Sequence, residues 1–233
     1  MKHIKNFLLY KLFPVCSILL ISLFVLSLSI SIPIYFRQFY YVHIDMLELS
    51  EKSGFTENEI RESYNEVLDY LTLPDREFSV GVMRYSDDGK AHFEDCKKLF
   101  SLNTSVLLLS ATLILLIYII LKMKGLSVPY IKKYPTYFYS GILTLILPAV
   151  IGVLFGTNFD FAFTLFHKVL FPGKSNWIFS ASKDEIIKVL PEAFFMNCII
   201  LVCISILILS AILIISGIYD SKKTKQSNMH PER

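Results

Sequence analysis

The sequence lacks most of the short motifs that mark soluble enzymes. It has no Gly-x-Ser-x-Gly turn, no glycine-rich phosphate loop, and no His-x-x-x-His or His-Glu pair. These absences argue against serine hydrolases and nucleotide-binding proteins, and they leave a zinc site only as a weaker alternative built from two histidines and an aspartate. Basic patches interleaved with aromatic residues are also missing, so we expect no nucleic-acid partner.

Apolar residues are what the chain has in excess, because 54% of it is hydrophobic and its mean hydropathy is +0.53. This composition indicates an integral membrane protein. Four runs approach the ~20 residues that a spanning helix needs: 14–36, 103–121, 137–155 and 191–217. The first three contain no charged residue, and the fourth has only Glu192 at its edge. Pro148 is expected to kink the third. The first run, at 23 residues, exceeds the ~7–15 of a signal-peptide core, so we interpret it as a retained span.

The distribution of charge predicts the orientation of these spans. The leader 1–13 carries three lysines, the loop 122–136 carries four lysines and no acid, and the tail 218–233 is basic on balance. In contrast, segment 37–102 carries 8 basic and 14 acidic residues. The positive-inside rule then predicts that both termini and the 122–136 loop are cytoplasmic, in a multi-pass protein of the plasma membrane. Segments 37–102 and 156–190 are predicted to be extracellular.

Local patterns predict helices in both extracellular segments, which would form a cap. Thr56 and Glu59 have the spacing of a capping box ahead of an amphipathic helix over about 57–71. Asp88-Gly89 predicts a turn, followed by a helix from about Ala91 into the second span. The stretch "NFDFAFTLFHKVLF" is too short to span and indicates an interfacial or re-entrant helix. Ser182 and Glu185 predict a second capping box.

The four cysteines do not predict a disulfide. Cys16, Cys198 and Cys203 fall in the apolar runs, and Cys96 is alone in the extracellular segments. Packing is the expected role of all four.

Three histidines lie away from the termini, and all three fall in the extracellular segments. His43 has no chemical context and is interpreted as structural. His92 precedes Asp95 by three residues, so on a helix the carboxylate would fix the imidazole tautomer and favour its protonated form. The alternative for His92 is an ordinary ion pair at a solvated helix end.

His167 has phenylalanines and leucines around it, and Asp160 lies seven residues earlier on the same helical stripe. An imidazole buried there requires a polar partner. The alternative is a histidine that reaches the lipid headgroups, with Trp177 as an interface anchor.

Two blocks carry a family resemblance: "FSVGVMRYSDDGKAHFEDCKKLF" and "FHKVLFPGKSNWIFSASKDEIIKVLPEAFF". They resemble the two signature blocks of the lipoprotein intramolecular transacylase family, four-span membrane proteins of bacteria that include enzymes of Gram-positive species. The chain departs from the pattern at Tyr85, where phenylalanine is expected, and at Cys96, where valine is expected. Asn176 is an extra residue before Trp177.

The resemblance implies an acyl shift within one molecule. The sn-2 acyl chain of a diacylglyceryl-modified lipoprotein would move to the α-amino group of its lipidated cysteine, giving a lyso-form lipoprotein. It implies that His92 and His167 are the catalytic pair, and the spacing described above makes Asp95 and Asp160 the expected supporting residues. Arg84, Asn176 and Trp177 are the expected substrate-binding residues. We expect no cofactor and no metal, and a monomer that faces membrane lipids and has its active site on the extracellular side.

Several assignments stay open at this point. Either histidine can serve as base and the other as acid, and an acyl-imidazole can form on one of them. A non-enzymatic receptor for lipid or lipopeptide, and a metal-dependent membrane hydrolase, are the alternative functions.

Overall fold

The structure is a computed structural model that describes residues 12–229, apart from the side chains of residues 224 and 226–229. Residues 1–11 and 230–233 of the two predicted cytoplasmic tails lie outside the described residues. The helices are α1 (Phe13–Tyr35), α2 (Arg37–Met46), α3 (Leu49–Ser53), α4 (Glu57–Thr72), α5 (Asp87–Met123), α6 (Thr136–Thr144), α7 (Ile146–Thr157), α8 (Phe159–Leu170) and α9 (Glu192–Met229). A 3₁₀ helix covers Glu185–Lys188, and β1 (Tyr130–Ile131) pairs antiparallel with β2 (Tyr134–Pro135).

Four helical stretches of the described chain are long and apolar enough to cross a membrane. They are α1, α5, the α6–α7 stretch Thr136–Thr157, and Glu192–Lys223 of α9. This confirms the prediction of an all-α membrane protein with four spanning helices.

Helix α5 is longer than a bilayer requires. Its 37 residues extend for about 55 Å, whereas the hydrocarbon core is about 30 Å thick. The apolar part begins after residue 102. The part before it carries seven charged side chains, and such a density of charge does not enter hydrocarbon: Asp87, Asp88, Lys90, Glu94, Asp95, Lys97 and Lys98. The first four turns of α5 are therefore an extension beyond the membrane-spanning part.

The third spanning stretch is interrupted next to Pro148, as predicted. Helix α6 ends at Thr144, Leu145 is its C-cap, and α7 begins at Ile146. Pro148 lies in the first turn of α7, where a missing backbone N–H is tolerated.

Among the described residues, one compact unit comprises 12–29, Ser105–Gly152 and 203–229. Small and hydroxyl-bearing residues join its helices. The Ser140 hydroxyl donates to the carbonyl of Ile18 at 3.1 Å, and the Thr144 and Ser210 hydroxyls are 2.6 Å apart. A Cβ added at Gly141 would lie 2.9 Å from the carbonyl oxygen of Ser210. Close backbone approach and interhelical hydrogen bonds are the usual means of helix association in membranes.

The second compact unit comprises Ile30–Thr104 and Val153–Val202, and we call it the histidine unit. Its apolar core includes the buried face of α4, which begins with the predicted capping box of Thr56 and Glu59. Tyr40 stacks on Tyr64 with ring centroids 3.7 Å apart, and its hydroxyl donates to the carbonyl of Val189 at 2.8 Å. Helices α2 and α4 are thus joined to the segment that precedes α9.

The predicted turn at Asp88-Gly89 is wrong, because both residues belong to the first turn of α5. The hydroxyl of Ser86 accepts from the backbone N–H of Gly89 at 3.0 Å and so caps the helix. The Asp184 carboxylate in turn accepts from the N–H and the hydroxyl of Ser86, both at 2.8 Å. A Cβ at Gly89 would lie 2.2 Å from Asp184 Oδ1. The glycine at position 89 therefore leaves room for the Asp184 carboxylate and does not form a turn.

The predicted capping box of Ser182 and Glu185 is also wrong. The Ser182 hydroxyl lies 2.9 Å from that of Ser180, and the 3₁₀ helix has no side-chain cap. The Glu185 carboxylate instead accepts from the backbone N–H of Arg84 at 3.0 Å and from its guanidinium at 2.9 Å. The Glu185 carboxylate, which the local pattern assigned to a helix cap, therefore bonds to Arg84, a residue distant in sequence.

Candidate active site

Helix α8 carries the aromatic stretch that the sequence indicated as a short helix. The Asn158 side chain caps it by accepting from the N–H of Phe161 at 2.9 Å. The helix has 12 residues, and it buries Ala162 and His167 while several phenylalanines and leucines on its other side remain exposed. This amphipathic pattern holds His167 inside the histidine unit.

The two predicted catalytic histidines meet in space. His92 lies in the second turn of α5 and His167 in the last turn of α8, 75 residues later. Their ring centroids are 5.7 Å apart, and the rings are inclined at 38°. Only 8% of His92 and 7% of His167 is exposed. Two buried imidazoles at this separation can exchange protons through one bound group.

Aromatic rings surround the pair. Phe171 lies edge-on to His92 at 5.0 Å and 5.9 Å from His167, and Phe179 lies 5.4 Å from His92. Trp177 stacks on His167 with centroids 4.7 Å apart. These rings keep the imidazoles away from water.

The hydrogen bonds of His167 define its tautomer. Its Nδ1 lies 2.8 Å from the carbonyl oxygen of Phe163, which can only accept. Nδ1 therefore carries the proton of the neutral ring, and Nε2 has a free lone pair. Burial lowers the pKa of His167 below its ordinary value of 6.5, in spite of the opposing effect of the Phe163 carbonyl. His167 is consequently a neutral imidazole near pH 7, with its basic nitrogen available.

His92 has a different environment. Its Nε2 lies 3.4 Å from the Sγ of Cys96, while its Nδ1 is buried without a hydrogen-bond partner in the described structure. Burial first, and the positive charge that His167 would carry second, lower the pKa of His92 to about 4. Burial also raises the pKa of the Cys96 thiol to about 12, so the sulfur keeps its proton. A thiol that donates to Nε2 leaves the imidazole proton on Nδ1.

Asp95 does not hydrogen-bond to His92 in the described structure, contrary to the orienting role expected from their spacing. Its Oδ2 instead accepts from Lys174 Nζ at 2.5 Å and from Asn176 Nδ2 at 3.2 Å. These bonds lower the pKa of Asp95, the one from Lys174 most strongly. The carboxylate bonds to the loop after α8, which offers it two hydrogen-bond donors. Asp95 thus joins α5 to that loop.

The other expected residues divide into two groups. Asn176 and Trp177 belong to the site, through Asp95 and His167 respectively, and the Trp177 indole donates to the carbonyl of Lys174 at 3.1 Å. The exposed side chain of Arg84 forms an ion pair with the buried Glu185, and its hydrogen bonds strongly lower the pKa of that carboxyl. Asp160 is exposed on the first turn of α8, and within the described residues it has no hydrogen bond or ion pair with His167.

Sequence reasoning missed Lys174 and the second role of Cys96. Lys174 is the principal partner of Asp95, but nothing in the sequence relates two residues that are 79 positions apart. Cys96 lies one helical turn after His92, and this i,i+4 spacing is a signal that could have indicated the contact. Its packing role also holds, since Cys96 contacts the apolar core of the histidine unit.

His43 is buried but lies outside the pair. Its Nδ1 lies 2.6 Å from the carbonyl oxygen of Phe39, and its Nε2 accepts from Asn197 Nδ2 at 2.9 Å. Both nitrogens are thus satisfied, which fits the structural role expected for this histidine.

Comparison with known proteins gives consistent matches. A family model described as lipoprotein intramolecular transacylase Lit matches residues 15–195. The solved structure of the membrane integral lipoprotein intramolecular transacylase Lit from Bacillus cereus superposes with a TM-score of 0.83. It is 28% identical, over 93% of this chain and 98% of that one. A variant of the B. cereus protein with a histidine-to-alanine substitution gives a TM-score of 0.79 at 26% identity, over 97% and 100% of the two chains.

A protein of Aquifex aeolicus (strain VF5), described as uncharacterized, is 28% identical over 146 residues. The match spans 62% of this chain and 62% of that relative's length. The family match covers most of the chain, and the structural matches cover nearly all of it. The chain belongs to the lipoprotein intramolecular transacylase family, a name that denotes an acyltransferase.

Proposed function

We propose that this chain moves the sn-2 acyl chain of a diacylglyceryl-modified lipoprotein to the α-amino group of its N-terminal cysteine. The observation that carries the proposal is the buried pair of His92 and His167 inside a wall of aromatic rings. The family and its B. cereus structures supply the reaction class. The charge distribution supports a site on the extracellular side of the plasma membrane, where diacylglyceryl lipoproteins are exposed.

The tautomers favour one division of labour between the histidines. His167 Nε2 has the free lone pair and takes a proton from the attacking amine, whose pKa of about 8 is within reach of an imidazole. His92 Nδ1–H has no partner in the described structure and donates to the glycerol oxygen as it leaves. One C–N bond forms and one C–O ester bond breaks. His167 Nε2 gains one proton and His92 Nδ1 loses one, and transfer of a proton from His167 to His92, whose ring centroids are 5.7 Å apart, restores both for the next turnover. The overall reaction therefore needs no external acid or base.

The apolar wall serves the same chemistry. It lowers the pKa values of both histidines, so that both are neutral at pH 7 and one can accept a proton while the other donates. It also excludes water, which would otherwise compete with the amine for the ester carbonyl. The amide product is more stable than the ester, so the reaction requires no activated acyl donor.

The test uses the chain purified in detergent and a synthetic diacylglyceryl lipopeptide with a free α-amine. Mass spectrometry should show an acyl group that has moved from glycerol to nitrogen at unchanged total mass. His92→Gln and His167→Gln should each lower the rate by about 100- to 10,000-fold, the usual contribution of a general acid or base.

His43→Gln is the matched control, because it replaces a buried histidine outside the pair. His43→Gln should retain activity under conditions in which thermal unfolding shows that the variant is folded. Lipopeptide binding without any acyl shift in the wild-type chain would instead indicate a receptor. Full activity of either His92→Gln or His167→Gln would contradict the assignment of the pair.

A further inference from the structure

Two buried side-chain atoms of the site lack a hydrogen-bond partner. In residues 12–229, the buried side-chain atoms without partners are three serine hydroxyls, His92 Nδ1 and Asn176 Oδ1. Leaving a buried polar atom unpaired is unfavourable, so its persistence calls for an explanation. For His92 Nδ1 the proposed reaction gives one, because that atom would donate to the leaving oxygen. Asn176 Oδ1 has no role yet.

The orientation of the Asn176 amide is determined by Asp95. A carboxylate can only accept, so the NH₂ end of Asn176 faces Asp95 Oδ2 at 3.2 Å and the carbonyl end faces away. The free atom is therefore an acceptor, and it is suited to a group that donates hydrogen bonds. Hydrogen bonds from Lys174, Asn176 and Lys98 all lower the pKa of Asp95, so its ionisation does not depend on Lys174 alone.

Asn176 is connected to the surroundings of both histidines. It bonds to Asp95, which lies one helical turn after His92 on α5. It also precedes Trp177, whose indole stacks on His167. Asn176 is thus linked by a hydrogen bond to the helix of His92 and by the chain to the residue that stacks on His167.

We propose that Asn176 Oδ1 accepts a hydrogen bond from the α-amino group of the substrate and positions this amine for attack. The inference rests on the proposed function and names the atom that recognises the nucleophile. A primary amine has two N–H bonds. One proton passes to His167 Nε2 as the C–N bond forms, and the other N–H stays on Asn176 Oδ1. Asp95 acts through Asn176 and is a positioning residue.

The experiment combines Asn176→Ala with a change in the substrate. With the primary-amine lipopeptide, Asn176→Ala should slow the acyl shift by about 10- to 100-fold, as expected for a lost hydrogen bond to a reacting group. The N-methyl lipopeptide has a secondary amine with a single N–H, and that proton must pass to His167. The wild-type chain should therefore react slowly with it, and Asn176→Ala should slow it further by less than about threefold. Such non-additivity is the signature of two groups that interact directly.

Lys174→Met provides the matched control on the same carboxylate. It removes the ion pair but leaves the Asn176–Asp95 hydrogen bond, so its effect should be equal for the primary and N-methyl amines. Thermal unfolding of each variant shows whether it is folded. If Asn176→Ala is partly unfolded, Asn176→Ser takes its place in the comparison of the two substrates.

The outcomes separate the two proposals. If the wild-type chain does not shift the acyl group of the primary-amine substrate, the proposed function itself is wrong. If it does, and Asn176→Ala slows both substrates by the same factor or neither, Asn176 does not contact the amine. An increase in ester hydrolysis relative to acyl shift in Asn176→Ala would further support the inference, because water then competes with a poorly held amine.

Discussion

Acidification should weaken the protein through His92 in a pH window that is set by its burial. The unfolded chain takes up a proton at His92 near pH 6.5, whereas the folded protein does so only near pH 4. Because the folded pKa is lower than the unfolded one, the contribution of neutral His92 to the free energy of unfolding is fully present above pH 6.5. It is lost as the pH falls from about 6.5 to about 4. Its magnitude is about 3 kcal/mol, because each tenfold change in proton affinity corresponds to ~1.4 kcal/mol.

This loss is substantial but does not by itself unfold a typical domain, whose stability is roughly 5–15 kcal/mol. The appropriate assay is thermal unfolding in detergent at a series of pH values from 7.5 to 4. The wild-type chain should lose stability steadily below pH 6.5. His92→Gln should lack this loss of stability. The difference in stability between the wild type and the variant should therefore become smaller as the pH falls.

The only tryptophan of the chain gives a second readout. Trp177 stacks on His167, and a protonated imidazole in contact with an indole quenches its fluorescence. Because the pKa of His167 is lowered, quenching should have its midpoint below pH 6.5 and should disappear in His167→Gln. An identical pH dependence of unfolding in wild type and His92→Gln, or a quenching midpoint at or above 6.5, would refute the reasoning.

Two further predictions concern helix starts, and thermal unfolding tests both. Gly89→Ala should destabilise the protein by about 1–3 kcal/mol, since the new Cβ meets Asp184 Oδ1 at 2.2 Å. Gly152→Ala is the matched control in a helix with no heavy atom within 4 Å, and it should be neutral or stabilising by up to ~1 kcal/mol; equal effects would contradict this account. Thr56→Ala should lose about 1 kcal/mol by removing the cap of α4, whereas Thr56→Ser should retain most of it. Equal losses in the two Thr56 variants would show that the hydroxyl does not matter.

Local signals predicted the parts of the fold that depend on local physics. Runs without charge gave the four spanning helices, and the Thr56–Glu59 spacing gave the start of α4. The predicted turn at Asp88-Gly89 and the predicted capping box of Ser182 and Glu185 were wrong for the same reason. Asp184 and Glu185 bond to Ser86 and Arg84 about a hundred positions away, so a pattern of four residues could not show how they are used.

The same limit applies to the site. Sequence reasoning selected both histidines, and the structure brings them within 5.7 Å. It assigned Asp95 to His92 because they are neighbours on a helix, but Lys174 and Asn176 offer stronger donors from another segment. A carboxylate bonds to the best donors that the fold presents, and these are not fixed by sequence spacing.

The division of the site between α5 and α8 has a consequence for its synthesis. Asp95 and Asn176 are 81 residues apart, so a ribosome that has completed His92 must still add the third spanning stretch before His167 or Asn176 exists. At roughly 5–20 residues per second, that interval lasts for several seconds. During it the nascent chain carries His92 without His167 and without Asn176. Under the proposed mechanism, acyl transfer therefore begins only after α8 and the loop that follows it have been made, and a partly synthesised chain is inactive.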